Sequence, residues 1–409
     1  MASLSEFNPF APETIEDPRA FWHALREEQP AYQIPGAGYF VISRYEDIFE
    51  VLHNEEVFSS NEPPGMQVAL GPEVAEIMKQ GYPPANTLLT NDPPSHTRFR
   101  ALVNKAFSAR RVAGMEPKVR TIANDLVNRF IADGRVELVS QFAVGLPLTV
   151  IADSLGVARD DMAKFKKWSD DSVAPLGGMI SHERQIECAH SVVEFQHYFA
   201  ARLEERRGAP RDDLLTDLVN ARLAGVDPLN TAEMLSILQQ LLVAGNETTT
   251  SLIASAMMIL LRNPSQMAAL AEDRSLIANF VEEALRLESP VSALFRLAKV
   301  DTEVGGVRIP AGSRLIVIYG SGNRDAAHFP NADRMDVRRD NARSHLAFGQ
   351  GVHFCIGAAL ARLEGRVAFE TLLARMKNIR FMPCRNDFAH TPSFILRGLK
   401  VLWLEFDIM

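Results

Sequence analysis

The sequence predicts a mainly α-helical protein with a smaller β-rich portion. Three observations carry that expectation. Helical periodicity dominates the chain as far as about residue 290. One candidate helix, Thr231 to Arg262, spans ~48 Å at 1.5 Å per residue, enough to cross a whole domain. Short β-type runs punctuated by Gly and Pro gather after residue 290. No low-complexity linker separates the two portions, so residues 1–409 read as a single domain.

The elements follow in order. "DPRAFWHALREEQ" (17–29) has Pro near its start and apolar residues at helical spacing,. "YFVISRYEDIFEVLHN" (39–54) reads as a short strand running into a helix. Residues 97–107, 115–132, 159–170 and 183–207 carry helical periodicity. The strand signals are "FRLAKV", "VGGVRIP", "RLIVIYG" and, near the end, "SFILRGLKVLWLEF".

Composition narrows the function. A net charge of −8 does not favour a nucleic-acid partner,. The N-terminal stretch lacks the charged and apolar regions of a signal peptide. No run of 18 apolar residues indicates a membrane span. Three widely spaced cysteines, Cys188, Cys355 and Cys384, make no disulfide framework,. A soluble, monomeric protein of a reducing cytoplasm is expected.

The long helix carries a polar knot at its centre, Gly245-Asn246-Glu247-Thr248-Thr249-Thr250. Gly costs about 1 kcal/mol against Ala in a helix interior. Threonine hydroxyls compete for backbone carbonyls. A kinked core helix with a solvated polar face explains these residues. So does a local opening of the helix, which would put an acid and an alcohol beside a groove, a setting for proton delivery. In "FVEEALRLESPVSALFR", Glu283 and Arg286 share a helix face and can pair,. Glu204 and Arg207 have the same spacing, so spacing alone says little.

The most informative stretch is "HLAFGQGVHFCIGAALARLEG", 345–365. Cys355 stands between a Gly-rich turn and an Ala/Leu-rich helix. A helix N-terminus favours a thiolate there. Gly349, Gly351 and Gly357 let the backbone turn tightly and approach something flat or bulky. A buried structural cysteine would leave those glycines and His353 idle. A catalytic nucleophile lacks a base motif. Zinc lacks its ligand spacings. One thiolate suits an iron held otherwise by a porphyrin.

With these residues in hand, the sequence resembles the cytochrome P-450 family of haem-thiolate monooxygenases. The family pattern F-G-x-G-x-H-x-C-x-G stands as Phe348 to Gly357, and A-G-x-[DE]-T as Ala244 to Thr248. The E-x-x-R pair, "GNRDAAHFP" (322–330) and "NDPPSHTRFRAL" (91–102) follow family order and spacing, in the form of the soluble bacterial members. The resemblance implies the P-450 fold, with haem b between the long helix and the Cys loop. It implies Cys355 as the metal ligand, with Gly245, Phe348, Gly349 and Gly357 beside the cofactor. It implies that His96, Arg100, Arg296 and His353 hold the propionates, and that buried carboxylates need such partners is sound physics. Glu283 and Arg286 would be structural. Glu247 and Thr248 would deliver protons to bound dioxygen. Many soluble members have Asp where this chain has Glu247, and Glu reaches further.

The implied reaction puts one oxygen atom of O2 into a C–H bond of a small organic substrate. With no Rossmann fingerprint, electrons are expected from a separate ferredoxin and its NAD(P)H-dependent reductase. "RFRALVNKAFSARR" (98–111) holds five bases and no acid, a candidate docking patch for an acidic partner, although Arg100 would serve haem,. By resemblance the apolar loop 59–91, with Met66, Val68, Leu70, Met78, Leu88 and Leu89, roofs the pocket. Val243, Ala244, Val291, Ala293 and the segment around Phe394 would face the substrate, though each could equally be ordinary core. None is charged, so an apolar or weakly polar molecule is expected. A peroxide-driven enzyme and a non-catalytic haem sensor are the alternatives, and Glu247 with Thr248 argues against both.

Overall fold

A helix of 31 residues, Thr231–Leu261, runs through the middle of the molecule. The computed structural model describes residues 3–61, 71–177 and 180–409, without the side chain of Lys105. The central helix starts at a reciprocal capping box. The Glu233 amide donates to Asn230 Oδ1 and the Asn230 amide to Glu233 Oε2, both at 2.9 Å,. From Thr249 to Leu260 every residue is buried, as expected of a segment apolar on all sides,.

Two cores form along this helix. Its C-terminal half packs against Ile277–Glu288 and the cysteine-loop helix Ala358–Arg375. Gly365 permits the close approach, because a Cβ there would lie 3.1 Å from Val281 and 3.2 Å from Leu252. Its N-terminal half packs against Gly145–Ser154, Met162–Val173, His182–Gly208 and Leu214–Asn220.

The larger sheet has five strands in the spatial order Ala31–Gln33, Tyr39–Ile42, Arg314–Val317, Leu294–Ala298, Phe58–Ser59. Tyr39–Ile42 and Arg314–Val317 pair in parallel, with Tyr39 opposite Arg314. A second sheet joins Arg135–Glu137, Trp403–Ile408 and Met376–Phe381. The architecture is mainly helical with a smaller sheet portion, as the sequence predicts.

Several boundaries differ from the expectation. "VGGVRIP" contributes to a hairpin of Thr302–Val304 with Val307–Ile309, where Gly305 and Gly306 take positive φ. Within "SFILRGLKVLWLEF" only Trp403 onward is strand. The earlier part makes single bridges, Val291 with Leu396 and His390 with Leu399. The helix expected over 115–132 runs from Ala109 to Asn128. Of the two readings of the polar knot, the local opening is not seen: the α-helix is continuous through Gly245 and Thr248. The hydroxyls donate to carbonyls one turn back, Thr248 to Ala244 at 2.7 Å and Ser251 to Glu247 at 2.9 Å, without displacing the ladder,.

Candidate functional site

Cys355 lies on a doubled-back loop that enters the helix Ala358–Arg375. Its amide donates to the Phe348 carbonyl at 2.9 Å, which closes the loop. Gly351 is required there: φ is +66°, and a Cβ would sit 2.3 Å from the Leu52 carbonyl oxygen,. A Cβ on Gly357 would come within 3.9 Å of the Cys355 sulfur. Gly349 also has positive φ, at +65°. Burial pushes the Cys355 thiol pKa up. The Gly357 and Ala358 amides and the charges of Arg100 and Arg362 pull it back. Anion-stabilising donors are therefore aimed at the sulfur although burial outweighs them.

Four polar side chains from three separate segments converge nearby. His96 and Arg100 are one turn apart on the helix Ser95–Val103. Arg296 comes from the strand Leu294–Ala298, and His353 from the cysteine loop. The His96 and His353 rings lie 4.1 Å apart. His96 is 1% exposed, yet neither of its ring nitrogens has a hydrogen-bond partner among the described residues, and Nε2 of His353 has none. The Leu88 carbonyl lies near both rings and raises their basicity, but without hydrogen-bond geometry. Burial, with Arg100 beside it, lowers the His96 pKa to about 4. Burial, with Arg296 and His96 beside it, lowers that of His353 to about 3. Arg296 donates to the Phe295 carbonyl at 2.7 Å and bonds the buried Tyr319 hydroxyl, but meets no carboxylate among the described residues. Buried donors without acceptors cost about 1–3 kcal/mol each, so this cluster fits an anionic ligand.

The central helix supplies the other polar group. Ser236, Gln240, Ala244 and Thr248 recur every fourth residue and share one stripe,. Ser236 Oγ accepts from the Ala85 amide at 3.0 Å, and Gln240 Oε1 from the Leu89 amide at 3.1 Å, so the stripe anchors loop 85–89. Ala244 is exposed, and Val243, Gly245, Glu247 and Thr248 are half-buried. The Thr248 proton is committed to the Ala244 carbonyl, which leaves the hydroxyl oxygen free to accept. Burial raises the Glu247 pKa, with Lys166 opposing and Asp170 reinforcing the shift. Asn246 Nδ2 donates to Ser169 at 3.0 Å and ties the knot to the helix carrying Lys166 and Asp170. Glu364, on the helix after Cys355, is 2% exposed and bonds Thr249.

Glu283 and Arg286 pair as expected, with Arg286 Nε and Nη2 each 2.8 Å from the carboxylate and both residues 0% exposed. Arg286 also donates to the carbonyls of Asn323 and Ala332, at 2.7 and 2.6 Å.

Other expected site residues fall elsewhere. Ala293 is 1% exposed and packs in a core with Phe21, Trp22 and Phe295. Ala293 and Phe394 line a small cavity with Trp22 and His390 that includes no residue of the central helix. Sequence gives no warning, because the N-terminal segment that covers them is distant in the chain. Val291 is half-buried against Leu396. Leu88 is a core residue and Leu89 is 38% exposed. Met66, Val68 and Leu70 lie outside the described residues. The docking patch over 98–111 is broken up. Arg98 pairs with Glu233 at 2.8 Å and Arg111 with Asp217 at 2.7 Å, which leaves Arg110 as an exposed arginine of the stretch. Sequence reasoning missed Tyr319, Glu364, Asn246, Lys166 and Asp170. Asn246 alone carried a signal, as part of the knot.

Residues 179–385 match the family model Cytochrome P450. The chain is 37% identical to cytochrome P450 107B1 of Saccharopolyspora erythraea, over 93% of each chain. It is 34% identical to the vitamin D(3) 25-hydroxylase of Pseudonocardia autotrophica, over 94% of this chain and 93% of that one. The solved structure of cytochrome P450 CYP109Q5 from Chondromyces apiculatus superposes with a TM-score of 0.86 at 39% identity, covering 98% of each chain. By sequence and by fold, this chain belongs to the cytochrome P450 family, with haem b as its cofactor and haem-thiolate monooxygenation as its chemistry.

Proposed function

We propose that this monooxygenase hydroxylates an apolar or weakly polar organic molecule, with Cys355 as the thiolate ligand of haem. The observation that carries the assignment of cofactor residues is the three buried ring nitrogens of His96 and His353 that have no partner among the described residues. With the guanidiniums of Arg100 and Arg296 beside them, they make a set matched to two carboxylates,. Haem, when bound, supplies the dioxygen chemistry. The chain's own residues hold it, exclude water and move protons. Glu247, kept protonated by burial to a higher pH than a free carboxyl, is the proton source,. Thr248, its own proton tied to Ala244, accepts a hydrogen bond from a proton-bearing ligand.

The substrate class rests on Val243 and Ala244, half-buried and exposed beside Thr248, both apolar. A relative named for 25-hydroxylation of vitamin D(3) supports the same class. We further propose electron supply by a separate ferredoxin with an NAD(P)H-dependent reductase. It would dock on the cysteine loop, where Val352 and Phe354 are 36% and 37% exposed. A monomer in the cytoplasm completes the reading. Among the described residues no helix is long and apolar enough to cross a membrane.

The test has two arms. Apolar compounds are screened by the haem spin-state shift in the absorption spectrum, and hits should turn over with ferredoxin and reductase. In Thr248→Ala, NAD(P)H consumption should persist while product falls and peroxide rises. Unaltered coupling would remove Thr248 from the mechanism, and equal turnover with peroxide alone would favour the peroxide-driven reading.

A further inference from the structure

Phe348 is held from several sides. Its carbonyl accepts from the Cys355 amide at 2.9 Å. The Arg362 guanidinium lies over its ring, 4.6 Å from the centroid,. Arg362 is in turn clasped by Glu282: Nε donates at 2.7 Å and Nη2 at 3.1 Å to the two carboxylate oxygens. Glu282 is 5% exposed. Burial alone would raise its pKa, but the hydrogen bonds from His345 and Arg362 hold it at about 2, so it is an anion at neutral pH. His345 is neutral, its pKa lowered by burial. Its Nδ1 accepts from the Ala347 amide at 3.1 Å, so Nε2 carries the hydrogen and donates to Glu282 at 3.0 Å. The guanidinium is thus held along one edge by Glu282 and on one face by Phe348, and its charge acts on the Cys355 sulfur.

We propose that Arg362, fixed by Glu282, is a positioning residue that holds the Phe348 ring and one positive charge toward the Cys355 thiolate, and so sets how strongly that ligand donates to the haem iron. This rests on the reading of Cys355 as the ligand. A fixed positive charge favours the more electron-rich state, so it raises the ferric–ferrous potential. A bidentate, stacked arginine does this at one defined place, which lysine cannot reproduce.

The test is the reduction potential of the haem-loaded protein, read beside the CO spectrum and thermal stability. Arg362→Gln should disfavour the ferrous form about tenfold, close to 59 mV for one electron. Arg362→Lys should fall in the same direction despite its retained charge. Glu282→Gln separates placement from simple charge. Loss of a nearby carboxylate would raise the potential, whereas release of the guanidinium lowers it. A potential unchanged within twofold in Arg362→Gln, or a rise in Glu282→Gln, would overturn the proposal. If Glu282→Gln fails to fold, the two Arg362 variants decide. A thiolate CO band retained in both keeps the ligand reading intact whatever the potential does. Its absence from the wild type would break that reading instead.

Discussion

Two buried polar clusters in this protein are finished to different degrees. Around Arg286 the guanidinium donates to Glu283 and to the carbonyls of Asn323, Ala332 and Arg334. Arg339 completes the same carboxylate at 3.1 and 3.2 Å. Around the buried His96 and the half-buried His353, three enclosed ring nitrogens have no partner among the described residues. A native interior tolerates few such groups. The first cluster is complete in itself and reads as structure. The second is complete only with an anion, and reads as a receptor. Substitutions should therefore separate the two: one set should cost stability, the other ligand affinity.

The largest effect is expected at the complete cluster. Arg286→Met strips the buried Glu283 of its bidentate partner, leaving Arg339 beside it, and leaves the Asn323 and Ala332 carbonyls without that donor, a loss of about 3–5 kcal/mol,. Urea unfolding should show that loss with or without haem. A variant as stable as wild type would erase the contrast.

A carboxyl that lacks a cation sharpens it next. Burial raises the Glu364 pKa from 4.5 to about 8, against a hydrogen bond from Thr249 that lowers it. Between those values the folded protein binds more protons than the unfolded chain. Its contribution is present in full below pH 4.5 and is lost as pH rises through 8. Glu282, clasped by His345 and Arg362 and held at about 2, behaves oppositely: its contribution is present above pH 4.5 and is lost as pH falls through 2. Wild type should thus lose stability from pH 5 to 9, and Glu364→Gln should flatten that slope by a few kcal/mol at most. Parallel pH profiles of Tm for the two proteins would show that Glu364 does not carry the slope.

The receptor cluster should give the smallest change in apoprotein stability. His96→Leu removes two unpaired polar atoms from a buried place, so urea stability without haem should move by less than about 1 kcal/mol, or rise. Haem affinity should drop roughly tenfold for a lost charge-assisted hydrogen bond. Haem transfer to an acceptor protein measures it. Unchanged transfer, with lowered stability, would make His96 an ordinary core residue.

What the sequence revealed was what is local. The helical periodicity of the long helix from Thr231 and the glycines around Cys355 act within a few residues, and both are legible. Orientation and long-range partners are not. Glu204 and Arg207 share the spacing of Glu283 and Arg286, but their side chains are 72% and 40% exposed while the other pair is fully buried. Arg98 looks like a free surface charge until the fold brings Glu233 to it. Ala293 looks like a pocket residue until the N-terminal segment covers it. The threonines of the polar knot suggest a broken helix, yet the helix is intact: the Thr248 hydroxyl bonds back to Ala244, while Thr250 donates to Ala143 and Thr249 bonds Glu364. In each case the deciding contact lies far away in sequence or depends on a side-chain hydrogen bond that residue type leaves open.

The central claim, that Cys355 is the thiolate ligand of haem, is tested most directly by the spectrum of the reduced, CO-bound protein. Cys188 is buried against the Asp171–Arg184 ion pair and Cys384 is exposed, so neither is placed among the unpaired donors. The wild type, Cys188→Ala and Cys384→Ala should all show the red-shifted Soret band of thiolate-ligated haem, and Cys355→Ala should lose it. A normal thiolate band in Cys355→Ala would contradict the account.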